Sequence, residues 1–386
     1  MESLDIAVVG GGLAGLTAAL ALARRGYGVR LYEAAAQWGE VGAGITLAPN
    51  AMRGLDHVGV GEAVVRAGSE PRQQTIAHWR DGRALLSFDR SGVREKYGSA
   101  YVYIHRADLH HILVAAAERA GVSVHLAHRL VAVDCSGALP RMTFANGRVV
   151  HADLVVGADG LHSRARRYLR GEAAHFTGHI AYRALATATG DIQHLIDEPG
   201  MHIGPGAMVV RYPLRGERLL NLVFFSRQRG WTADGWSIPA TPDELDTLFD
   251  GWCEDVQQLI RAAAPDTLFK WAINAHHPLP TWSLEDKLVL LGDAAHAMTP
   301  FLGQGAAAGI EDAVILARAL EQASDVREAL ARYEAARYGR AGFIQAESNA
   351  NANRLQGPES ELYGLDNLRN EETLGLFAYD CASAPV

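Results

Sequence analysis

The segment Ile6-Ala7-Val8-Val9-Gly10-Gly11-Gly12-Leu13-Ala14-Gly15 decides the fold of this 386-residue chain. Its four apolar residues predict a buried parallel strand, and the Ala- and Leu-rich residues 16–25 predict a helix directly after the glycine turn. In such a unit Gly10 permits the turn, Gly12 lets the backbone approach a pyrophosphate, and Gly15 lets the helix pack on the strand. The segment therefore predicts a dinucleotide-binding site of the Rossmann type.

An acidic residue follows the next predicted strand. Residues 29–32 read Val-Arg-Leu-Tyr and end at Glu33, about where an acid accepts a hydrogen bond from a ribose hydroxyl in this kind of fold. The expected cofactor contacts from this part of the chain are Gly10, Gly12, Leu13, Ala14, Gly15 and Glu33. The pattern alone does not distinguish NAD from FAD, and a glycine turn without a ligand is the competing interpretation.

The composition is that of a globular protein with a full core. Apolar residues make up 48% of the chain, which favours two closely packed domains. The net charge of −8 argues against a nucleic-acid surface, which needs a basic excess. No stretch reaches the ~18 apolar residues of a membrane span, and the N-terminus lacks the pattern of a leader. We therefore expect a cytoplasmic protein that binds neither nucleic acid nor membranes.

The cysteines and histidines predict neither a disulfide framework nor a metal centre. Cys135, Cys253 and Cys381 lie far apart and form no C-x-x-C pair, which fits a reducing compartment. The histidine pairs at 110–111 and 276–277 have no Cys, Asp or Glu at the spacing of a zinc site. We expect no bound metal.

Two later segments repeat the pattern of a buried strand that ends in a tight turn. Residues 153–160 contain Val-Val-Gly-Ala-Asp-Gly, and residues 288–293 read Leu-Val-Leu-Leu-Gly-Asp. Both are expected to add parallel strands to the first sheet, with a helix at 305–320 after the second. Because ligands of open α/β sheets gather at the carboxyl ends of the strands, Asp293 is placed to accept hydrogen bonds from ribityl or ribose hydroxyls. A helix N-cap is the alternative role for Asp293.

Other segments alternate apolar and polar residues and predict antiparallel strands. They cover residues 72–89 and, between 178 and 225, several runs separated by Gly, Pro and charged turns. The expected fold class is α/β, with a Rossmann-like FAD- or NAD-binding domain of parallel sheet and helices, an antiparallel-sheet substrate domain and C-terminal helices. The expected division is 1–70, 101–175 and 276–320 for the cofactor-binding domain, 71–100 and 176–275 for the substrate domain, and 321–386 for the C-terminal helical segment.

Shorter elements are predicted around the two sheets. They are a loop at 41–50, a helix through Met52, Leu55 and Val58, a helix that enters at 104–109 and runs to Ala120, a strand at 122–126, a hairpin with a type I′ turn at Asn146-Gly147, and helix to about Asn353. The small residues of the loop suit close approach to a flat ligand. No regular element is predicted for residues 362–386.

In this order and at this spacing, the three turns resemble those of the single-component FAD-dependent aromatic hydroxylases. These flavoprotein monooxygenases include the 4-hydroxybenzoate, salicylate, 3-hydroxybenzoate and 6-hydroxynicotinate hydroxylases, and the resemblance covers essentially the whole chain. The family's D-G-x-x-S-x-x-R motif stands here as DGLHSRAR at residues 159–166. Its G-D-A-A-H motif stands at residues 292–296, followed by Pro300, Gln304-Gly305 and Glu311-Asp312.

The resemblance implies that FAD is the bound cofactor and that NADH or NADPH binds transiently as the reductant. The further cofactor contacts that it implies are Gly44, Arg106, Asp159, Asp293, Gly303, Gly305 and Ala306. The amides of a helix that begins at Gly305 can also stabilise the negative charge of a reduced flavin. A turn-forming role is the alternative for Asp159, and a surface position is the alternative for Arg106.

The chemistry implied by the resemblance is hydroxylation of a phenol. In the family NAD(P)H reduces the flavin, oxygen is captured as a C4a-hydroperoxide, and one oxygen atom is transferred to an electron-rich ring. The protein supplies a dry pocket and a group that deprotonates the phenol. Similarity to the 3-hydroxybenzoate and 6-hydroxynicotinate enzymes places Tyr212 at the substrate hydroxyl and Pro300 beside the flavin ring. A plain core position is the alternative for Tyr212.

Three positions depart from the pattern of those two enzymes. Met208 stands where both carry a histidine, and Thr46 and Phe301 stand where the hydroxynicotinate enzyme carries one. With Arg183 and Tyr212 these residues complete the expected substrate pocket. The pocket is thus less basic and more apolar, which favours salicylate-like or larger hydrophobic phenols.

Two further roles are hypotheses for charged residues near the pocket. His202 is a candidate replacement base, with a structural histidine as the alternative. Arg183 or Arg211 is a candidate ligand for a substrate carboxylate, with a solvated surface arginine as the alternative.

Two other functional interpretations stay open. One is a flavoprotein oxygenase or reductase of the same fold that acts on a larger hydrophobic substrate of the natural-product type. The other is a non-enzymatic FAD- or NAD-binding module. An aromatic hydroxylase is distinguished from both alternatives because a phenol stimulates its oxidation of NAD(P)H. The expected partners are a small aromatic substrate and O2, and the protein is expected to be a monomer or a homodimer.

Overall fold

The structure is a computed structural model that describes residues 4–39, 44–169, 171–187, 190–215, 219–228, 230, 231, 233, 235, 237–365 and 368–386. Its strands are β1 (Asp5–Val9), β2 (Gly28–Tyr32), β3 (Gly44–Leu47), β4 (Gln73–His78), β5 (Ala84–Asp89), β6 (Val102–His105), β7 (Ser123–His125), β8 (Leu130–Asp134), β9 (Arg141–Phe144), β10 (Val149–His151), β11 (Leu154–Gly157), β12 (His175–Thr187), β13 (Gly200–Gly204), β14 (Ala207–Leu214), β15 (Leu219–Arg227), β16 (Ile238–Pro239), β17 (Phe269–Ala275), β18 (Ser283–Leu284) and β19 (Leu288–Leu290). Its α-helices are α1 (Leu13–Ala23), α2 (Pro49–His57), α3 (Gly61–Ala67), α4 (Val93–Tyr97), α5 (Arg106–Arg119), α6 (Gln193–Asp197), α7 (Pro242–Leu248), α8 (Glu254–Ala262), α9 (Asp293–His296), α10 (Gly305–Gln322) and α11 (Val326–Gln356).

The first sheet is mostly parallel and has the order β18-β19-β11-β1-β2-β7. Its neighbouring strands are parallel except for the edge strand β18, which is antiparallel to β19. Strands β1, β11 and β19 are buried almost throughout and share a core with the apolar residues of α1, α5 and α10. The predicted parallel strands and their order along the chain are therefore confirmed. The carboxyl ends of β1, β2, β11 and β19 meet at one edge, where the three turns follow.

The second sheet has the order β16-β17-β12-β15-β14-β13-β4-β5. Its strands pair antiparallel, except that β13 and β4 are parallel. The antiparallel strands predicted for 72–89 and 178–225 are confirmed, and so is the fold class. The domain limits at residues 70, 100, 175, 275 and 320 stay a prediction.

The predicted loop at 41–50 is wrong for its central part. Residues 44–47 form β3, which pairs antiparallel with β6 through Gly44 with His105 and Ile45 with Ile104. A strand satisfies backbone groups that a buried loop would leave unpaired. Residues 104 and 105 belong to the paired strand β6, so α5 begins at Arg106 and not at residue 104. Residues 41–43 of the predicted loop lie outside the described residues.

The hairpin at Asn146-Gly147 is confirmed, but its predicted turn type is wrong. Strands β9 and β10 pair antiparallel, with Thr143 opposite Val149. A type I′ turn needs a positive φ at both central residues, and here Gly147 has φ +82° whereas Asn146 does not have a positive φ. The longer loop fits the pattern of a type I turn followed by a left-handed glycine.

The C-terminal part is helical to Gln356, as predicted to about Asn353. Among the described residues beyond it, only short 3-10 turns occur, at Ser360–Leu362 and Leu376–Ala378. None of the helices in the described part of the chain is long and apolar enough to cross a membrane.

A buried ion cluster joins α10 to α11. Arg337 Nη1 donates to Glu311 Oε2 at 2.6 Å, and Arg337 Nε donates to Asp312 Oδ1 at 2.7 Å, with all three side chains fully buried. Asp312 also accepts the backbone N–H of Gly292 at 2.9 Å and lies 2.6 Å from His296 Nε2. Burial opposes ionisation of Asp312, but His296 and Arg337 lower its pKa to about 2.

The same cluster reaches the element that follows β3. Asn50 in α2 donates to Glu311 Oε1 at 2.7 Å and to Gln304 Oε1 at 2.9 Å. Arg340 adds a second cation at 2.8 Å from Glu311. The ends of β19 and β3 are thus tied to the C-terminal helices through buried charges.

Replacement of Arg337 tests how much the fold depends on this cluster. We expect Arg337→Met to lower the free energy of unfolding by about 3–5 kcal/mol, because two buried carboxylates lose their main counter-ion. The exposed Arg327 on the same helix offers the control Arg327→Met. Urea denaturation of the two variants gives the comparison, and equal stabilities would contradict the expectation.

Candidate functional site

The three turns meet at the carboxyl edge of the parallel sheet. Gly10 has φ +110°, and a Cβ there would collide with the carbonyl of Ala158 in the second turn. A Cβ at Gly15 would collide with the carbonyl of Gly10. In the third turn, a Cβ at Gly292 would lie 2.9 Å from the Cβ of Ala14. The glycines therefore allow three distant parts of the chain to touch.

A cavity of about 480 Å³ opens where these turns face the antiparallel sheet. On the side of the turns its walls include Gly12, Leu13, Ala14, Asp293, Gly305 and Ala306. On the opposite side they include all five predicted pocket residues, namely Thr46, Arg183, Met208, Tyr212 and Phe301. Gly44, Arg106, Pro300 and Gly303 also line it. The structure thus brings the predicted cofactor and substrate residues into one space.

Two helix N-termini border this cavity. Gly12 is the N-cap of α1 and forms no side-chain cap, and a Cβ on Gly12 would meet nothing within 4 Å. α10 begins at Gly305 after Gln304, again without a side-chain cap, and a Cβ on Gly305 would also enter open space. Free N-terminal amides attract anions. Both helices therefore present their positive ends to the cavity.

Three predicted cofactor residues, Gly10, Gly15 and Glu33, do not line the cavity but support the first glycine turn. Gly10 and Gly15 provide the close packing described above. The Glu33 carboxylate accepts hydrogen bonds from the backbone N–H groups of Gly11 and Ala35, both at 2.7 Å. Glu33 thus holds the glycine turn in place, and its carboxylate keeps lone pairs for a further donor.

An acidic and a basic residue face each other across the cavity wall. Asp293 is exposed to the cavity and otherwise surrounded by protein, so desolvation raises its pKa, while His296 and Arg106 lower it. Burial lowers the pKa of Arg106, and the nearby Asp293 raises it. Arg106 is therefore not the surface residue that was the alternative for it. Asp293 lies at the start of the short helix α9 without capping it through its side chain.

Asp159 serves its own turn. Its carboxylate accepts the Ser163 hydroxyl at 2.5 Å and the backbone N–H groups of Arg164 and Ala165 at 2.7 and 3.3 Å. Ala158 and Gly160 line the cavity, whereas Asp159 does not. These contacts favour the turn-forming alternative, and a direct contact of Asp159 with the cofactor stays a prediction.

The last residue of the same motif supports α9. Arg166 is buried, and its guanidinium donates to the carbonyls of Ala294, Ala295 and His277. The carbonyls of Ala294 and Ala295 lie in α9, where the last carbonyls of a helix have no partner within it. The second motif therefore holds the third motif in position.

Tyr212 is buried and held on both sides. Its ring stacks on Tyr103 with centroids 4.6 Å apart, and its hydroxyl lies beside Thr46 and Arg183. A side chain at Gly44 would collide with the Tyr212 ring. Burial raises the pKa of Tyr212 to about 12, although Arg183 opposes the rise. Tyr212 is therefore a hydrogen-bond donor at neutral pH.

Arg183 brings a desolvated cation to the same place. Its Nη2 donates to the Gly44 carbonyl at 2.9 Å, and its guanidinium lies 5.5 Å from the Trp271 ring centre. Within the described part of the chain its Nε has no partner. Burial lowers the pKa of Arg183, and Tyr212 raises it. An anionic oxygen in the cavity would accept hydrogen bonds from both Arg183 and Tyr212.

The remaining pocket residues form an apolar wall. Phe301 packs on Phe225 with ring centres 5.2 Å apart and on His179 at 5.0 Å. Met208 is buried on the same wall. Pro300 projects into the cavity next to these residues and is exposed there. The expectation of a more apolar pocket agrees with this wall.

His202 does not reach the cavity, which corrects its role as a candidate base. It lies fully buried on the face of β13 that packs toward α8, with Nε2 3.6 Å from Asp255 Oδ2. Arg211 Nη1 lies 3.3 Å from His202 Nδ1. Strand residues alternate between faces, so Met208 and Tyr212 face the cavity whereas His202 and the guanidinium of Arg211 point away. Arg211 also lines the cavity, although its guanidinium lies against His202, so its role as a carboxylate ligand stays a prediction.

The contact between Arg211 and His202 also affects whether His202 can bind a metal. His202, Cys253 and Asp255 place their potential ligand atoms within 4.8 Å of one another, a grouping that sequence spacing did not reveal. Arg211 donates to Nδ1, so the ring proton resides on Nε2 and the imidazole turns an N–H toward Asp255. A metal ligand needs a free lone pair there.

Some residues that line the cavity were not predicted to do so by any pattern in the sequence. They are Gln74, Arg90, Tyr101, Tyr103, Asn370 and Glu371. The alternation of Tyr101 and Tyr103 around Val102 is a strand pattern that could have indicated a shared face. Asn370 and Glu371 belong to the segment after Gly357, for which no local pattern predicts a position.

Comparison with known proteins identifies the family. The family described as FAD binding domain matches residues 3–346. The chain belongs to this family. Its predicted membership among the FAD-dependent aromatic hydroxylases is confirmed by the following relatives.

Two relatives match almost the whole chain. The 3-amino-4-hydroxybenzoate 2-monooxygenase of Streptomyces platensis is 36% identical over 358 residues, which are 92% of this chain and 89% of that protein. The 6-hydroxynicotinate 3-monooxygenase of Bordetella bronchiseptica is 36% identical over 352 residues, 90% of this chain and 91% of that protein. A salicylate hydroxylase substrate complex superimposes with a TM-score of 0.83 and 27% identity, covering 99% of this chain and 97% of the other. This member of the FAD-binding family is an FAD-dependent monooxygenase.

A substitution at Gly12 tests whether the first turn holds the cofactor. We expect Gly12→Val to weaken FAD binding about tenfold or more, because its side chain fills space that a diphosphate would occupy. The extended backbone at Gly12, with φ −74° and ψ 179°, accepts a side chain without strain. Gly339→Val on the exposed face of α11 is the control. Fluorescence titration with FAD gives both affinities, and an unchanged affinity would refute the assignment.

Proposed function

We propose that this protein hydroxylates a phenolic or hydroxy-heteroaromatic small molecule of the salicylate or hydroxybenzoate type, with NADH or NADPH as reductant and O2 as co-substrate. The observation that carries the proposal is the single cavity described above. Asp293 and Gly305 line one side of it, and Tyr212 and Arg183 line the other. Names of relatives that act on hydroxybenzoates and hydroxynicotinate support the same substrate class.

The residues on the side of the turns fit FAD. The open cradle at Gly12 and the uncapped N-terminus of α1 suit a diphosphate, with Leu13 and Ala14 as its neighbours. The Asp293 carboxylate suits ribityl hydroxyls. Bound FAD would supply electron transfer and the activation of oxygen. The NAD(P)H requirement is part of this proposal.

Further residues complete the proposed cofactor site. The amides at Gly305 and Ala306 suit the negative charge of a reduced ring system. Gly44, Arg106 and Gly303 complete its surroundings, and the remaining lone pairs of Glu33 suit a ribose hydroxyl.

Tyr212 and Arg183 are proposed to stabilise the ionised substrate oxygen. The Tyr212 hydroxyl is protonated and donates a hydrogen bond, and the Arg183 guanidinium adds positive charge in a buried place. Both favour the phenolate over the phenol and so lower the pKa of the bound substrate. Tyr212 thus acts as a donor and not as a base. The ionised ring is the stronger nucleophile toward an oxygen atom.

The apolar wall is proposed to keep water out. Phe301, Phe225 and Met208 surround the ring position, and Pro300 lies at the edge where the flavin is expected. A dry pocket suppresses wasteful release of peroxide. The same wall favours a ring with few polar substituents on this side.

A larger hydrophobic substrate is the second candidate. The cavity wall continues from Tyr212 and Tyr103 to Tyr101 and Arg90, which suits a substrate longer than one ring. A same-fold oxygenase of a larger phenol would use the same residues. Comparing single-ring with two-ring phenols separates the two candidates.

Reductant consumption by the FAD-loaded protein tests the proposed function. NADH and NADPH oxidation is followed with and without salicylate, hydroxybenzoates, hydroxypyridines and two-ring phenols, with peroxide measured in parallel. We expect a phenol to stimulate oxidation with little peroxide and to gain one oxygen atom. Stimulation without oxygenated product would contradict the hydroxylase and favour a reductase.

Removal of the Tyr212 hydroxyl tests the proposed donor. We expect Tyr212→Phe to lower kcat about 10- to 100-fold, because a hydrogen bond to a charged oxygen contributes roughly 1.5–3 kcal/mol. The pH at which the bound phenol ionises should rise, which loss of packing alone would not cause. The half-exposed Tyr168 provides the control Tyr168→Phe. Unaltered kcat and an unaltered ionisation profile would refute the role of Tyr212.

A further inference from the structure

The far end of the cavity holds a carboxylate from the C-terminal segment. Glu371 lines the cavity and is half-buried. Beyond the effect of burial, it raises the pKa of Tyr101 and of Tyr103. It also raises the pKa of Tyr363. The Arg90 guanidinium lies 5.2 Å from the Tyr101 ring centre and pairs with the neighbouring Glu372, so Glu371 lies toward the Tyr101 end of the tyrosine row.

The neighbouring cations are engaged elsewhere. Arg90 Nη1 donates to Glu372 Oε2 at 3.0 Å, and Arg90 Nη2 donates to Gln74 Oε1 at 2.9 Å. Lys96 also donates to Glu372, at 2.8 Å. Glu372, next in the chain, thus takes the ion pairs that Glu371 lacks.

Within the described residues, no side chain donates a hydrogen bond to the Glu371 carboxylate. Burial raises the pKa of Glu371, and Arg90 offsets part of this effect. A carboxylate that is partly withdrawn from water gains stability from a hydrogen-bond donor, because desolvation of its charge is costly. The position of the carboxylate on the cavity wall calls for a donor inside the cavity.

The spacing of the two polar ends fits one aromatic molecule. Tyr212 and Tyr103 are 4.6 Å apart between ring centres, and Tyr103 and Tyr101 are 5.7 Å apart. The cavity wall also carries apolar side chains, with Ile76, Phe88 and Val210 among them. A ligand that reaches both ends carries its polar groups at opposite edges of an aromatic body.

We propose that Glu371 binds a nitrogen-borne hydrogen-bond donor of the substrate, a cationic amine or an N–H group distal to the phenolic oxygen at Tyr212 and Arg183. This inference rests on the proposed function and narrows its substrate class to amino-substituted phenols. A carboxylate at the distal position is disfavoured, because it would face Glu371 across a desolvated space. Glu371 is thus a specificity-determining residue.

Matched ligands test the proposal on the FAD-loaded protein. Dissociation constants are measured from changes in flavin absorbance for tyramine and 4-ethylphenol, for 4-aminophenol and 4-methylphenol, and for 3-(4-hydroxyphenyl)propionate. We expect each amine to bind about 10- to 100-fold more tightly than its alkyl partner, as for a hydrogen bond to a charged group. The propionate should bind most weakly.

The variant Glu371→Gln keeps the shape and removes the charge. We expect the ratio of amine to alkyl affinity to fall to about 1–3 in this variant, with the affinity for 4-ethylphenol nearly unchanged. Glu361→Gln is the matched control, since Glu361 lies in the same segment, is largely exposed and does not line the cavity. It should keep the full ratio.

The outcomes separate this inference from the function beneath it. Binding of the alkyl phenols without a preference for amines in the wild-type protein overturns the role of Glu371 and leaves the hydroxylase standing. The wild-type ratio decides this even if Glu371→Gln fails to fold. An unchanged ratio in a folded Glu371→Gln protein also overturns it. If no phenol of the series perturbs the flavin or stimulates NAD(P)H oxidation, the proposed function and the inference fall together.

Discussion

The buried contact of Arg337 with Glu311 and Asp312 is the constraint on which the site depends. Three fully buried charges are stable only when each is neutralised and hydrogen-bonded, so their partners cannot shift independently. Asp312 holds the backbone of Gly292, and Glu311 holds Asn50 behind β3. One buried cluster therefore fixes both the turn at Gly292 and the segment at Asn50 that follows β3. A stiff support of this kind suits a site that must position a large cofactor against a small ring.

Close backbone contact is the second theme. Gly10, Gly15 and Gly292 let three turns meet, and Gly44 leaves room for the Tyr212 ring. Tyr212 comes from the antiparallel sheet and the turns come from the parallel sheet, so the reacting groups are brought together only by the complete fold. The cavity wall combines apolar side chains with polar groups, an arrangement that orients a ligand and excludes water.

Local patterns in the sequence predicted much of this arrangement. The strand, glycine turn and helix of residues 6–23 are encoded by neighbouring residues, and so are the turns near Asp159 and Asp293. All five expected pocket residues line the cavity. The strands and turns are short-range features, produced by rules that act within one turn or strand, whereas the pocket residues were expected from the family resemblance.

Features that depend on distant partners were not predictable. Residues 44–47 form a strand because β6 supplies the pairing partner, and the side of β13 on which His202 lies depends on α8. Asp159 turned to its own loop because Ser163 and two amides satisfy its carboxylate. Glu371 lies in a segment without periodicity. The position of this segment is fixed by the ion pairs that the adjacent Glu372 forms with Arg90 and Lys96. Tertiary contacts, not propensity, fix these positions.

The central claim is that one cavity joins a flavin to a phenol that receives oxygen. The most direct test is a turnover of the FAD-loaded protein with NAD(P)H, a phenol that stimulates it and isotopically heavy O2, followed by mass spectrometry of the product. The account predicts that the product carries one heavy oxygen atom from O2. Product oxygen derived from water, or reductant consumption that yields only peroxide with every phenol, would contradict it.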